Sequence, residues 1–242
     1  MDRDTAATLA MAHRLLFVAG HSHLVYGHAS ARDTDGRLLV KPRGLGLQEI
    51  TPDDIAEMDG DARQLSGKHR LHNEMQIHTE IYRARSDVGA VVHTHPPASV
   101  ALTLLGRQAV ARGTYVQDDL PFVRGGLGWY ASPELVQDVP KGRALARALG
   151  KRRAVVLANH GVVTVGTTIV EATVRAVLLE SALRLRAHAL ASVGGRRSKL
   201  SLIAPAAAKR MAKEFDAQRG RDEAVWAYLE RECERVLGAV PW

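Results

Sequence analysis

The chain has 242 residues, 46% of them hydrophobic, enough to bury a full core within a single domain. No apolar run approaches the ~20 residues that span a bilayer, and the opening Met1-Asp2-Arg3-Asp4-Thr5 lacks the basic-then-apolar layout of a secretory signal. The net charge of +7 is scattered over Lys151-Arg152-Arg153, Arg196-Arg197-Ser198-Lys199 and Arg219-Gly220-Arg221 without interleaved aromatics, so neither nucleic acid nor membrane is indicated as a partner.

Residues 4–19 carry apolar positions at helical spacing and end at Gly20, a natural C-terminal stop. Strand-like runs follow at Gly27–Arg32 and Arg37–Pro42, then a Gly44-Leu45-Gly46 loop. Thr51-Pro52-Asp53-Asp54 has the N-cap, early proline and acidic first turn that open a helix. A second helix is predicted from Asn73 to about Arg85, with Glu74 in its first turn. Val88–His95 reads as a buried strand closed by Pro96-Pro97, and Ala98–Leu105 as a helix stopped at Gly106.

Ser132-Pro133-Glu134 is expected to start a further helix. Ala154–Ala158 and Val162–Val165 read as strands flanking the corner Asn159-His160-Gly161. Thr168 and Glu171 form a capping box before a long helix whose apolar stripe is Val170, Val174, Val177, Leu178 and Leu185. Gly194-Gly195-Arg196-Arg197 makes a joint to two more helices, from about Pro205 to Arg219 and from Asp222 to Leu237. The lone Cys233, in the last of these, excludes an internal disulfide framework and fits a reducing cytoplasm. The elements alternate without the regularity of a doubly wound fold. A central, mainly antiparallel sheet covered by helices, in one domain with a helical C-terminal extension from about residue 195, fits better.

The chemistry concentrates in three histidines. Residues two apart on a strand share a face, so His93 and His95 reach one ion together, and His160 joins them from another strand end. Three neutral imidazoles leave a divalent metal with open positions, the mark of a catalytic rather than a closed structural site. Each histidine ends an apolar strand where the backbone leaves the sheet, which is where sites collect. Glu74 reads either as a first-turn carboxylate complementing its helix, as a general acid/base, or as a labile fourth ligand. His188 continues the long helix's stripe and reads as a core or subunit contact. His13, His21, His23, His69 and His78 gain no role from spacing.

Taken together, Tyr26-Gly27-His28-Ala29-Ser30, Lys41-Pro42-Arg43-Gly44, Ile50-Thr51-Pro52-Asp53-Asp54, Glu74 with His78-Thr79-Glu80-Ile81-Tyr82, Val88 to His95 and Ala158-Asn159-His160-Gly161 resemble the class II aldolase/adducin family over roughly residues 5–190. The resemblance implies a three-layer α/β/α fold and a divalent metal on His93, His95 and His160, zinc first, with manganese, cobalt or iron as alternatives. It also implies Glu74 as the catalytic carboxylate and a homotetramer with sites at subunit boundaries.

Members that cleave sugar phosphates show Gly-Asn where this chain has Gly27-His28, Thr-Pro-Ser/Thr-Gly where it has Lys41-Pro42-Arg43-Gly44, and Ser-Ser-Glu where it has His72-Asn73-Glu74. The hydroxyls that cradle phosphate are replaced by the full charges of Lys41 and Arg43, and an arginine fork suits a carboxylate as well. The pattern is closest to the decarboxylase-like branch, which acts on hydroxylated aromatic acids such as dihydroxyphthalate or on oxo-acids. A carbon–carbon lyase working through a metal-stabilised enolate is therefore expected, on a small carboxylated or oxygen-rich substrate. Glu74 is the first candidate to return the proton and His28 the second. Lys41, Arg43, Asn73 and Tyr115 are candidate substrate contacts, Tyr115 otherwise being a packed tyrosine. The alternatives are an aldolase, epimerase or dehydratase on a sugar or sugar phosphate, and a non-catalytic adducin-like scaffold.

Overall fold

A computed structural model describes residues 2–110, 113–240 and 242. Its centre is an eight-stranded sheet in the order β4-β3-β2-β1-β5-β8-β7-β6. The strands are β1 (His28–Arg32), β2 (Leu38–Val40), β3 (Ala56–Met58), β4 (Gln64–Ser66), β5 (Ala90–Thr94), β6 (Gly128–Tyr130), β7 (Ala154–Leu157) and β8 (Gly161–Gly166). Every pairing is antiparallel except β6 with β7.

The helices are α1 (Arg3–Leu16), α2 (Gln76–Ala84), α3 (Pro97–Thr103), the single turn α4 (Arg107–Val110), α5 (Val139–Leu149), α6 (Ile169–Ser192), α7 (Pro205–Ala217) and α8 (Arg221–Leu237). Period-two alternation sorts the strands' side chains between two layers. Ala29, Ala31, Ala90 and Val92 pack with Leu9, Leu16, Ala172, Ala176 and Leu229 of α1, α6 and α8. On the other face Val91, Val155 and Val163 pack with Ile77, Ile81, Leu145 and Leu149 of α2 and α5. This is the expected three-layer arrangement. Among the described residues no helix is long and apolar enough to cross a membrane.

The two faces decide where chemistry lies. His93 follows Val91 toward α2, and His28 and Ser30 follow suit on β1, with His28 directly opposite His93 in the register. One end of the β5–β8 pair therefore gathers polar side chains under α2, while the apolar residues between them hold the layers together.

Several local expectations give way to tertiary contacts. Thr51–Asp54 makes only one 3-10 turn, Pro52–Asp54. Thr51 N–H and Oγ1 both donate to Asp54 Oδ2, closing the cap locally, and the chain then pairs with β2 as β3. Ser132-Pro133-Glu134 starts no helix; α5 begins at Val139 behind an Asp138 cap. The residues between stay non-helical because Val136 N–H is engaged by Glu74. Glu74 itself lies just before α2 rather than in its first turn. The buried residues of α6 include Ile169, Ala172, Val174, Ala176, Leu179, Leu183 and Leu190, so Val174 of the expected stripe is in the core, with Val170 and Val177 partly buried against it, while Leu185 is 48% exposed and His188 faces solvent in this chain. Packing on several sides drew Glu180 and Arg186 inward, and no single stripe marked that face.

Candidate metal centre and its cleft

Four side chains from three separate stretches meet at the open end of β5 and β8. Glu74, His93, His95 and His160 each bring a ligand atom within 4.8 Å of the others. The Nε2 atoms of His93 and His95 are 3.0 Å apart. Glu74 Oε2 stands 3.8 Å from His93 Nε2 and 3.6 Å from His160 Nε2. Four donors at about 2.1 Å around a tetrahedral zinc lie about 3.4 Å from one another, so these separations bracket what one ion needs.

The donors also carry the right protonation and orientation. His93 Nδ1 lies 3.0 Å from the Val162 carbonyl, which fixes the tautomer that leaves Nε2 as a lone-pair donor. Burial, in the main, pushes His93 down to about 3 and His95 to about 2, so both are neutral imidazoles, as ligation requires. Both ring nitrogens of His160 are buried without a hydrogen-bond partner among the described residues. Such orphaned nitrogens are costly unless something completes them, and a cation held by this cluster would serve that role for the one facing Glu74. The residues present fit a divalent metal.

The backbone shows why this sequence builds the corner. Asn159 adopts φ 54°, and Thr103 Oγ1 accepts its N–H at 2.9 Å. A Cβ on Gly161 would come within 2.7 Å of His95 Cδ2, so only glycine lets β8 start this close to the second ligand. Burial raises the Glu74 carboxyl, but His160, whose Nε2 faces Oε2 at 3.6 Å, the charge of His93 and the Val136 N–H outweigh it and hold the group at about 2. Oε1 accepts from Val136 N at 2.9 Å, which leaves Oε2 facing the imidazoles.

Behind the cluster lies a buried polar chain that spacing did not reveal. Tyr82 OH is 2.9 Å from Ser30 Oγ, which is 2.6 Å from His78 Nδ1, and His78 Nε2 is 2.7 Å from His28 Nδ1. His78 is fully buried at its centre. His28 is 2% exposed, ring to ring with His72 and His93 at 4.6 and 5.0 Å. Burial first, then the neighbouring histidines, hold it well below its ordinary value. His28 therefore stands behind the site, bonded to His78 and outside the cleft lining, so the structure does not bring it to the cleft as a proton donor.

Lys41 is likewise displaced from its expected place. Its side chain is fully buried beneath the cleft, and Nζ donates to the carbonyls of Val25 and Pro42 at 3.1 and 3.2 Å, with His72 Nε2 at 3.3 Å. Burial lowers the ammonium to about 8. It ties two loops of the rim together. Tyr115 stands elsewhere, under the Arg186 guanidinium at 4.4 Å and accepting from Arg197 Nε at 2.9 Å. In this chain it is a packed tyrosine.

The cluster opens into a cleft of about 1030 Å³. Arg43, Asn73 and His72 line the cleft with Glu74. Arg43 is exposed, and its guanidinium has no partner among the described residues. Val25, Pro97, Val100, Ala101, Leu104 and Leu135 make an apolar wall. Buried Glu180 of α6 secures that wall by accepting the N–H groups of Ala98 and Ser99, both at 2.9 Å, at the start of α3. His23 and Tyr26 also line the cleft; a tight bridge between them turns the His23 ring edge-on to His95 at 5.7 Å.

The chain matches the family described as class II aldolase and adducin N-terminal domain over residues 7–187. It belongs to that family. Among curated relatives it is 33% identical over 203 residues to a 3,4-dihydroxyphthalate decarboxylase of Terrabacter sp. (strain DBF63), covering 79% of this chain and 83% of that one. It is 35% identical over 158 residues to the 5-methylthioribulose-1-phosphate/5-deoxyribulose-1-phosphate aldolase of Rhodospirillum rubrum, with 64% and 67% covered. The structure superposes on an aldolase II superfamily protein from Pseudomonas syringae with a TM-score of 0.83 at 25% identity, over 97% of this chain and 93% of that one. The class II aldolase fold thus extends past the matched family domain through the C-terminal helices.

Proposed function

We propose that this class II aldolase family lyase decarboxylates a small hydroxylated aromatic acid or oxo-acid. The supporting observation is the cleft's division of labour. A Glu/His cluster at its base stands near an unpaired Arg43 guanidinium, with an apolar wall alongside. A flat ring packs on such a wall, and an arginine fork takes its carboxylate. The similarity to dihydroxyphthalate decarboxylases supports the same choice.

His93, His95 and His160 would hold the divalent cation, with Glu74 beside it as a displaceable fourth donor and zinc the first candidate. When bound, it supplies Lewis acidity toward the negative charge that a broken carbon–carbon bond leaves. Glu74 is ionised at neutral pH, so it starts as an acceptor. It takes the proton of the substrate hydroxyl and returns it to the ring carbon once carbon dioxide has left; the phenolate product then regains a proton from water. Asn73 and Arg43 orient the acid. His28 and His78 fix the His93 side of the site, and Lys41 fixes its rim.

The exposed Leu24, Leu104 and Leu135, at 72%, 68% and 49%, lie on the loops and helix that line the cleft mouth. They support a homotetramer in which a neighbouring subunit covers that mouth. A panel of aromatic acids, oxo-acids and sugar phosphates, offered to metal-loaded protein, tests the reaction. Carbon dioxide release from a hydroxylated acid is expected. Aldehyde release from a sugar phosphate alone would replace the proposal with the aldolase reading that the Rhodospirillum relative favours.

A further inference from the structure

At the opposite end of the β5–β8 pair from the histidines, a second cleft of about 840 Å³ is lined by six cations, Arg85, Arg124, Lys151, Arg152, Arg153 and Arg175. They come from the end of α2, the loop before β6, the turn between α5 and β7, and α6. Three are neutralised. Arg85 forms a two-point pair with Asp87 (2.7 and 2.6 Å), Arg175 pairs with Glu171, and Arg153 pairs with Asp216 at 2.7 Å. The other three are not. Arg124 and Lys151 are exposed and make no side-chain hydrogen bond or ion pair among the described residues. Arg152 donates only to carbonyls, those of Gly125 at 2.9 Å and Leu149 at 3.4 Å.

Carbonyl partners hold a guanidinium in place without cancelling its charge. Arg85 is fixed further by the carbonyls of Gly150 and Arg152, and Arg175 by that of Val165. Arg85, Arg152 and Arg175 are therefore held in place before any ligand arrives, which lowers the ordering cost of binding at those positions. Burial, the leading effect, brings Arg175 down to about 10 despite the nearby carboxylates of Glu171, Asp222 and Asp216.

We propose that this second cleft binds a small, multiply charged phosphate anion, a diphosphate group, between Arg124, Lys151 and Arg152. Three cations with no carboxylate at ion-pair distance among the described residues, Lys151 acting on Asp87 only at longer range, suit a diphosphate, whose oxygens accept from guanidinium forks and an ammonium together. Nucleic acid is disfavoured as the occupant because, among the described residues, no aromatic side chain lines the cleft to stack on a base.

The test is calorimetric titration of the whole protein with inorganic pyrophosphate, ADP and a 20-nucleotide single-stranded RNA in 50 mM salt. One pyrophosphate per chain is expected, with binding weakened at least about tenfold in Arg124→Ala/Lys151→Ala. That variant should keep wild-type turnover and metal content. His93→Ala should keep pyrophosphate binding, because chelation by a metal at the other site would be lost with that ligand. ADP binding tighter than pyrophosphate identifies a nucleotide as the source of the diphosphate; equal affinity identifies the free anion. No pyrophosphate binding, binding unchanged by the double substitution, binding lost in His93→Ala, or RNA binding far tighter than both would each overturn the proposal.

Discussion

Glu74 allows the sharpest separation of charge from structure, because its two oxygens do different jobs. Oε1 takes the Val136 N–H at 2.9 Å, while Oε2 faces His93 and His160. Glu74→Gln keeps an amide oxygen for Val136 and removes the charge. It should leave folding stability within about 1 kcal/mol, since the buried N–H stays paired. Turnover should fall about 10²–10⁴-fold, the range of a lost acid–base group, and metal affinity should drop about 10–100-fold. Glu74→Ala should lose activity equally and also cost about 1–3 kcal/mol in denaturant unfolding, by stranding Val136 N–H. The two variants would be compared by carbon dioxide release at saturating metal, metal competition and urea unfolding. Wild-type turnover in Glu74→Gln would refute the assigned role. Equal destabilisation of both variants would refute the division between the oxygens.

Removing metal with a chelator should abolish turnover, and adding back zinc, manganese, cobalt or iron one at a time should show which ion restores it; activity indifferent to chelation would reject the metal centre. Lys41→Met removes the donor that ties Val25 to Pro42, so KM should rise more than kcat falls, with a loss of about 1–3 kcal/mol in stability; a kcat effect alone would place Lys41 at the reacting atoms. The metal-free protein should lose stability between pH 7 and pH 5. His13 and His21 are held at about 3, chiefly by burial, so the unfolded chain takes up protons there that the folded one refuses. The penalty grows below pH 6.5 and reaches about 2 kcal/mol for each histidine at pH 5; flat urea midpoints over that range would contradict it. Light scattering should give four chains per particle, falling on Leu104→Glu; a monomeric wild type would remove the tetramer.

How far the sequence announces this site depends on which forces place each residue. His93 and His95 were legible because strand periodicity is local, and His160 because Asn-His-Gly marks a corner that only a small residue allows beside His95. The sheet's mainly antiparallel character and the C-terminal helices also follow from local pattern, whereas the edge strands β4 and β6 were not legible. His78, Glu180 and His23 were not legible. His78 becomes central only when α2 lies across β1 and places its ring between Ser30 and His28, and Glu180 matters only because α6 runs under the start of α3. Lys41 and Tyr115 show partners that spacing did not announce: charge and loop position suggested substrate contacts, and within this chain Lys41 is held by nearby carbonyls and Tyr115 lies under Arg186. The missing helix after Ser132 makes the same point. A start signal was present, yet the Val136 N–H that a helix would need is given to Glu74. The segment that disobeys its local preference is thus the one that orients the carboxylate, and loosening it should misplace Oε2 before it unfolds anything.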